Sequence, residues 1–200
     1  MSNATLVYDI RNSRYLNITG RCTLRCRFCP KQNGSTQVHQ YQLGLDSQPS
    51  AEALLPLLGE VSQFDEYVFC GYGEPTLNLE TLLSVAKAIK ARGGRVRVNT
   101  DGLGSLFHRR NILPQLASCV DALSISLNTQ DEVTYQRHCA PKLKGSYDAV
   151  REFIRQAPNY IDSVEVSAID GLEGVDMAAC QAIVEAAGAR FKPRQLDIVG

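Results

Sequence analysis

The sequence has no surplus of charge of either sign: Lys plus Arg and Asp plus Glu each total 21. A chain so balanced has no overall field to attract nucleic acid or an anionic membrane, so any electrostatic preference is local. No apolar run approaches membrane-spanning length, and Met1 to Ile10 lacks the basic stretch and apolar core of an export signal. These absences predict a cytoplasmic protein with no membrane segment and no evident nucleic-acid binding. Internal repeats and low-complexity segments are also missing, and hydrophobic residues at 44% are ordinary for a folded domain. Two hundred residues are expected to fold as a single domain over residues 1–200.

What is present is cysteine. Seven in a chain without an export signal argue against a disulfide framework, so their spacing carries the information. Cys22, Cys26 and Cys29 fall on one short stretch, whereas Cys70, Cys119, Cys139 and Cys180 are dispersed. Three thiolates on one loop suit an iron-sulfur cluster or zinc. Structural zinc wants a fourth ligand, usually from a second pair, and no Cys-x2-Cys or His-x3-His occurs downstream. A redox dithiol would leave the third cysteine unexplained. A cubane held by three cysteines leaves one iron open to a ligand. Cys70, Cys119 and Cys180 sit in apolar patterns typical of buried thiols, and Cys139 is the one candidate for a reactive thiol.

Extended segments at Leu6 to Ile10 and Tyr15 to Thr19 predict an N-terminal hairpin leading into the cysteine loop. Strands and helices then alternate. Predicted strands are Glu66 to Cys70, Val96 to Asn99, Ala122 to Asn128, Val164 to Ile169, and a last one beginning near Ala189. Helical spacing predicts helices between them: one begins at a cap on Asn78, another at a Thr129–Glu132 capping box, another at Asp176. Pro56 should kink the helix through Ala51 and Leu58, and a short helix is expected over Ile112 to Ser118. Six such units imply an α/β fold with a parallel sheet, too short for a closed eight-stranded barrel, hence a partial, open-sided (βα)6 barrel. Polar motifs collect where strands end: the cysteine loop, Gly71-Tyr72-Gly73-Glu74-Pro75, Asn99-Thr100-Asp101-Gly102, and Ser126-Leu127-Asn128. In parallel α/β folds that rim carries the reactive groups.

The run Cys22-Thr23-Leu24-Arg25-Cys26-Arg27-Phe28-Cys29 resembles the signature of the radical S-adenosylmethionine (SAM) superfamily. The resemblance implies a 4Fe-4S cluster on the three cysteines, whose open iron SAM chelates. Reductive cleavage of SAM would yield methionine and a 5'-deoxyadenosyl radical that abstracts a substrate hydrogen. It also implies that Phe28 packs near the adenine and that Gly73-Glu74-Pro75 engages the SAM amino group. By the same resemblance Asn99, Thr100 and Asp101 face SAM, with Asp101 replacing a more usual Asn, and Ser126 and Asn128 contact the ribose. A low-potential donor such as flavodoxin or ferredoxin is implied as electron source. Strand alternation puts Ser124, Ser126 and Asn128 on one face, independently of the family.

Over nearly its full length the chain resembles the TatD family-associated radical SAM proteins, on Tyr15 to Thr19, Phe69 to Leu77 and Ser124 to Asn128. The 7-carboxy-7-deazaguanine synthase family fits less well, because Pro30-Lys31 stands where that family carries Asp-Thr or Asp-Ser for magnesium. Glycyl-radical activating enzymes are a third comparison, and a non-catalytic cluster protein for electron transfer is the reading from another class. Arg95 and Arg97 on one strand, with Lys192 and Arg194 on the last, predict a basic cavity and an anionic substrate of unknown identity. The open side of such a barrel is a surface that a second copy, in a homodimer, could close.

Overall fold

The computed structural model describes residues 4–196. Strands β1 (Val7–Ile10) and β2 (Ser13–Leu16) form the expected antiparallel hairpin, turning at Arg11 with φ 53. A small hairpin that the sequence pattern did not announce follows the cysteine loop: β3 (Gln37–Val38) and β4 (Tyr41–Gln42). Helix α1 is one turn, Ala51–Leu54, and passes at Leu55–Leu57 into a 3-10 turn where Pro56 removes an N–H.

From there the chain alternates as expected: β5 (Glu66–Phe69), α2 (Leu79–Ala91), β6 (Val96–Thr100), α3 (Gly104–Phe107), α4 (Leu113–Ala117), β7 (Ala122–Asn128), α5 (Glu132–Cys139), α6 (Ser146–Gln156), β8 (Ser163–Asp170), α7 (Met177–Ala186) and β9 (Arg190–Gln195). The main sheet runs β1-β2-β5-β6-β7-β8-β9, and every neighbouring pair beyond the first is parallel. The sheet is open: β1 and β9 are its edges.

Parallel register puts paired residues on a common face, so the sheet has two chemically distinct sides. Tyr67, Phe69, Val96, Val98, Leu123, Ile125 and Val166 are buried among the helices, with Leu82, Val85, Ala86 and Ile89 of α2 in the same core. The other side carries polar rows, Asn99–Ser124–Glu165–Arg190 and Ser126–Ser167–Lys192.

Two helix starts differ from expectation. Asp131, not Thr129, caps α5, its carboxylate accepting from the Thr134 amide at 2.8 Å, while the Thr129 hydroxyl turns to the Asp131 carbonyl. A carboxylate is the stronger acceptor for an amide at a helix start. Asn78 makes no cap; its amide donates to the Ile18 and Pro49 carbonyls and ties α2 to the cysteine-loop approach. Asp176 caps α7 as expected, accepting from the Ala179 amide.

Candidate active site at the strand ends

Asn17 begins the construction of the site. Completely buried in an otherwise apolar stretch, it donates to the Thr5 and Leu43 carbonyls and accepts from the Tyr72 amide at 3.1 Å. That contact explains Gly71, whose added Cβ would lie 2.2 Å from Asn17 Oδ1. A Cβ on Gly73 would fall 2.4 Å from the Arg21 carbonyl oxygen and 2.5 Å from that of Thr19. The two glycines therefore let the loop after β5 press on the chain entering the cysteine loop.

Glu74 follows, 4% exposed, and its carboxylate is a clasp. Oε1 accepts from the Thr76 amide, the Thr76 hydroxyl and the Thr100 hydroxyl, at 3.0, 2.6 and 2.7 Å. Oε2 accepts from the Asp101 amide at 2.7 Å. Four protein donors thus converge on the Glu74 carboxylate. Thr100 and Asp101 turn toward Glu74, whereas Asn99 stays on the polar face and accepts from Arg97 at 2.7 Å. Pro75 is buried at the start of a short 3-10 turn.

Asp101 ties this clasp to the cysteine loop. Its Oδ2 accepts from the Thr23 hydroxyl at 2.8 Å and lies 3.9 Å from Cys22 Sγ, while Oδ1 accepts from the Leu103 amide. Burial first, then the neighbouring Glu74 charge, raises the Asp101 carboxyl well above its ordinary range. Burial and Asp101 in turn push the Cys22 thiol up to about 12. The other wall is α5. The Arg25 amide donates to the Cys139 carbonyl at 2.9 Å, Arg27 to that of His138 at 2.8 Å, and Lys142 Nζ to that of Cys22 at 2.9 Å.

The Cys139 thiol first, then burial, raises the Cys26 thiol far above the usual thiol range. Cys139, the candidate for a reactive thiol, is fully buried. Asn128 also departs from expectation. A register shift between Ser126 and Asn128, with Asn128 at φ 67, takes it off the serine face, and its Nδ2 points to Cys139 Sγ at 3.6 Å. Asn tolerates this left-handed backbone better than most residues. Ser126 keeps its place on the polar face, and Phe28 is half-buried against the core.

Cys22, Cys26 and Cys29 are free thiols on one loop, with the Cys29 amide donating to the Cys26 carbonyl. Among the described residues no three Cys, His, Asp or Glu side chains converge closely enough to hold a metal ion. The donor chemistry nevertheless fits a cluster: three soft ligands on one loop, with two buried unpartnered atoms, Asn128 Oδ1 and Tyr135 Oη, beside the Cys26–Cys139 contact. A cavity of about 510 Å³ adjoins the loop, lined by Gly20, Lys31, Thr36, Gln42, Asp46 and Tyr72 among others.

The basic residues are less uniform than the sequence suggested. Arg95 is exposed and precedes the strand. Arg97 lies on the polar face but is neutralised by Glu66 at 2.7 Å, and Lys192 pairs with Glu165 at 3.1 Å. Arg194 makes no ion pair among the described residues, and its field reaches the Cys70 thiol at the end of β5. Reasoning from sequence missed Asn17, Thr23, Tyr135 and Lys142. Only Asn17 carried a signal, an amide within an apolar strand.

Residues 16–187 match the radical SAM superfamily. A relative from Treponema denticola, named as a probable dual-specificity RNA methyltransferase RlmN, is 27% identical over 82% of this chain and 47% of its own length. The chain spans less than half the length of the curated relatives it matches. Among solved structures, SuiB of Streptococcus suis bound to its precursor peptide SuiA superposes with a TM-score of 0.69, at 12% identity, over 96% of this chain and 40% of that one. A radical SAM methyltransferase from Sphaerobacter thermophilus gives a TM-score of 0.60 at 15% identity, over 94% of this chain and 68% of that one. These likenesses are of fold.

Proposed function

The chain belongs to the radical SAM superfamily, and we propose that it cleaves SAM reductively to abstract a hydrogen from a substrate, with Cys22, Cys26 and Cys29 holding the 4Fe-4S cluster. The cluster, when bound, supplies the electron for that cleavage; the protein binds, orients and excludes water. The observation that carries the reading is the clasp: buried Glu74 joins the glycine loop to the end of β6, and Asp101 joins that end to the cysteine loop. An electron carrier needs three or four cysteines but no such strand-end framework. In this reading residues 1–200 form one core unit, Phe28, Asn99 and Ser126 line the SAM site, and Glu74, Thr100 and Asp101 hold its walls in register.

The substrate reading follows from Arg194. Arg95, Arg97 and Lys192 are exposed or neutralised, so a substrate carboxylate or phosphate would be met on the polar face by Arg194. The cavity beside Lys31 and Tyr72 offers room near the loop. Reductant and substrate are both required by this chemistry; a flavodoxin or ferredoxin is the proposed donor, and no helix among the described residues is long and apolar enough to cross a membrane.

The test is anaerobic reconstitution with iron and sulfide, followed by SAM and dithionite. About four irons per chain and formation of 5'-deoxyadenosine are expected. A fully loaded cluster that yields no 5'-deoxyadenosine would favour electron transfer, and tetrahedral zinc in place of iron would reject both readings.

A further inference from the structure

The balance of charge over the whole chain conceals a local excess. Between Asp9 and Asp46 the sequence has no acidic residue, while Arg11, Arg14, Arg21, Arg25, Arg27 and Lys31 all fall there. Arg14 pairs with Asp9, but from Arg21 to Lys31 no cation makes an ion pair among the described residues. Arg21, Arg25 and Arg27 are exposed and are interleaved with the half-buried Cys22, Cys26 and Cys29. Tertiary structure adds to them. The Arg25 and Arg27 amides donate to the Cys139 and His138 carbonyls, and the Lys142 amide to that of Thr23, which lays the end of α5 along the loop. Exposed Lys142 is thereby brought to the loop, its Nζ donating to the Cys22 carbonyl at 2.9 Å, with exposed Lys144 two residues on. Neither lysine makes an ion pair among the described residues. Of the acids on the adjoining elements, Asp101 is buried and bonded to Thr23, and Glu173, whose carbonyl meets His138 Nε2, pairs with Arg137 at 3.9 Å. Like charges gathered without counter-charges repel one another, and the field they share attracts an anionic partner.

We propose that this patch, centred on Arg25 and Arg27, is the docking surface for an acidic one-electron donor protein. The inference rests on the cluster assignment made above and adds where the reductant binds. In the transfer the donor loses one electron and the cluster gains it; no bond is made or broken. Charge complementarity commits the patch to an anion, and its place commits it to an electron donor, because the stretch from Arg21 to Lys31 also carries the three cysteines. Electron transfer falls steeply with distance, so the donor must sit on this loop and not on the far side of the sheet. A nucleic acid would also meet the arginines, but proteins that hold single strands add exposed aromatic faces to their cations. The large hydrophobic side chains that stand exposed, Leu57, Val133, Tyr160 and Leu196, include none from the cysteine loop or from residues 140–145. Arg25 and Arg27 are docking residues: their side chains act on encounter and affinity, while their amides hold α5.

The test uses the reconstituted protein and a purified bacterial flavodoxin of strongly negative net charge. Binding of the oxidised flavodoxin is read by calorimetry, and electron transfer from its hydroquinone by stopped-flow loss of cluster absorbance. At about 10 mM salt, where charges act over about 30 Å, Arg25→Gln/Arg27→Gln should slow transfer about 10-fold and weaken binding in step. Arg25→Glu/Arg27→Glu should slow it about 100-fold, whereas Arg25→Lys/Arg27→Lys, which keeps the charge, should stay within about 3-fold of wild type. Lys87→Gln/Arg151→Gln, which removes two exposed cations from α2 and α6, should change neither readout. The differences should vanish at about 1 M salt, where the screening length is about 3 Å. All variants should load the same iron and be reduced to the same extent by dithionite. Equal transfer rates in wild type and the glutamate variant at low salt, with clusters that dithionite reduces, would overturn this inference alone. So would a single-stranded RNA oligonucleotide that binds through the same arginines more tightly than the flavodoxin does. Should the glutamate variant lose iron, the Gln and Lys variants carry the comparison. A wild-type chain that assembles no cluster would instead strike down the assignment of Cys22, Cys26 and Cys29, and this inference with it.

Discussion

Two acidic residues of this protein stand on the sheet or at its strand ends and are treated in opposite ways. Glu74 is buried and accepts from four protein donors. Glu165, on β8, pairs with Lys192 and Arg190, both largely exposed near the open edge of the sheet. The first arrangement fixes three loops relative to one another in a dry setting; the second is a solvated rim where charge is screened. The loop after β5, the end of β6 and the cysteine loop are therefore tied into one buried unit, and the β8–β9 edge holds its charges at the solvent.

Replacing any of Cys22, Cys26 or Cys29 by Ala should have the largest effect of all. Iron content and 5'-deoxyadenosine should both fall to background, beyond the about 10–100-fold that an outer-shell substitution costs. Retained iron in all three single variants would show that the buried unit serves something other than a cluster. Glu74→Ala comes next, because it strands the Thr76 and Asp101 amides and the Thr76 and Thr100 hydroxyls in a buried place. A loss of about 3–5 kcal/mol in urea unfolding of the cluster-free protein is expected. A loss below about 1 kcal/mol would erase the contrast with the rim.

Asp101 tests the same region through pH. Its carboxyl is raised above the unfolded value, so the native state binds more protons than the unfolded chain from about pH 4 upward to the folded pKa. Stability of the cluster-free protein should accordingly fall as pH rises through that window, and Asp101→Asn should flatten the fall. A pH profile identical in wild type and variant would refute the buried, carboxyl-rich description. The smallest effect belongs to the rim: Lys192→Ala should change unfolding free energy by less than about 1 kcal/mol and leave iron content unchanged.

Much of the architecture was legible because hydrophobic period and turn chemistry are local. The strand–helix alternation, the Pro56 break and the Asp176 cap all follow from neighbours within a few residues. The cysteine signature is local too. The errors fall where a residue's partner is distant: Asn78 bonds Ile18 and Pro49 in place of its own helix, and Asn128 leaves the serine face to meet Cys139. Alternation predicts which way a side chain points only while the strand stays regular, and the shift after Ser126 ends that. The basic cavity was overcounted for the same reason, since Glu66 and Glu165 come from other strands.

By itself the sequence determined the fold class, the cysteine triad and the positions at which polar loops would gather, since each rests on short-range pattern. Tertiary structure alone decided what those loops do to one another. Gly71 and Gly73 seat one loop on another, the Glu74 carboxylate closes on four protein donors, and the end of α5 is bonded to the cysteine loop through the Arg25 and Arg27 amides. The physical reason is burial: a polar group removed from water must find a partner wherever the fold supplies one, and that partner is set by packing across the sheet, not by position along the chain.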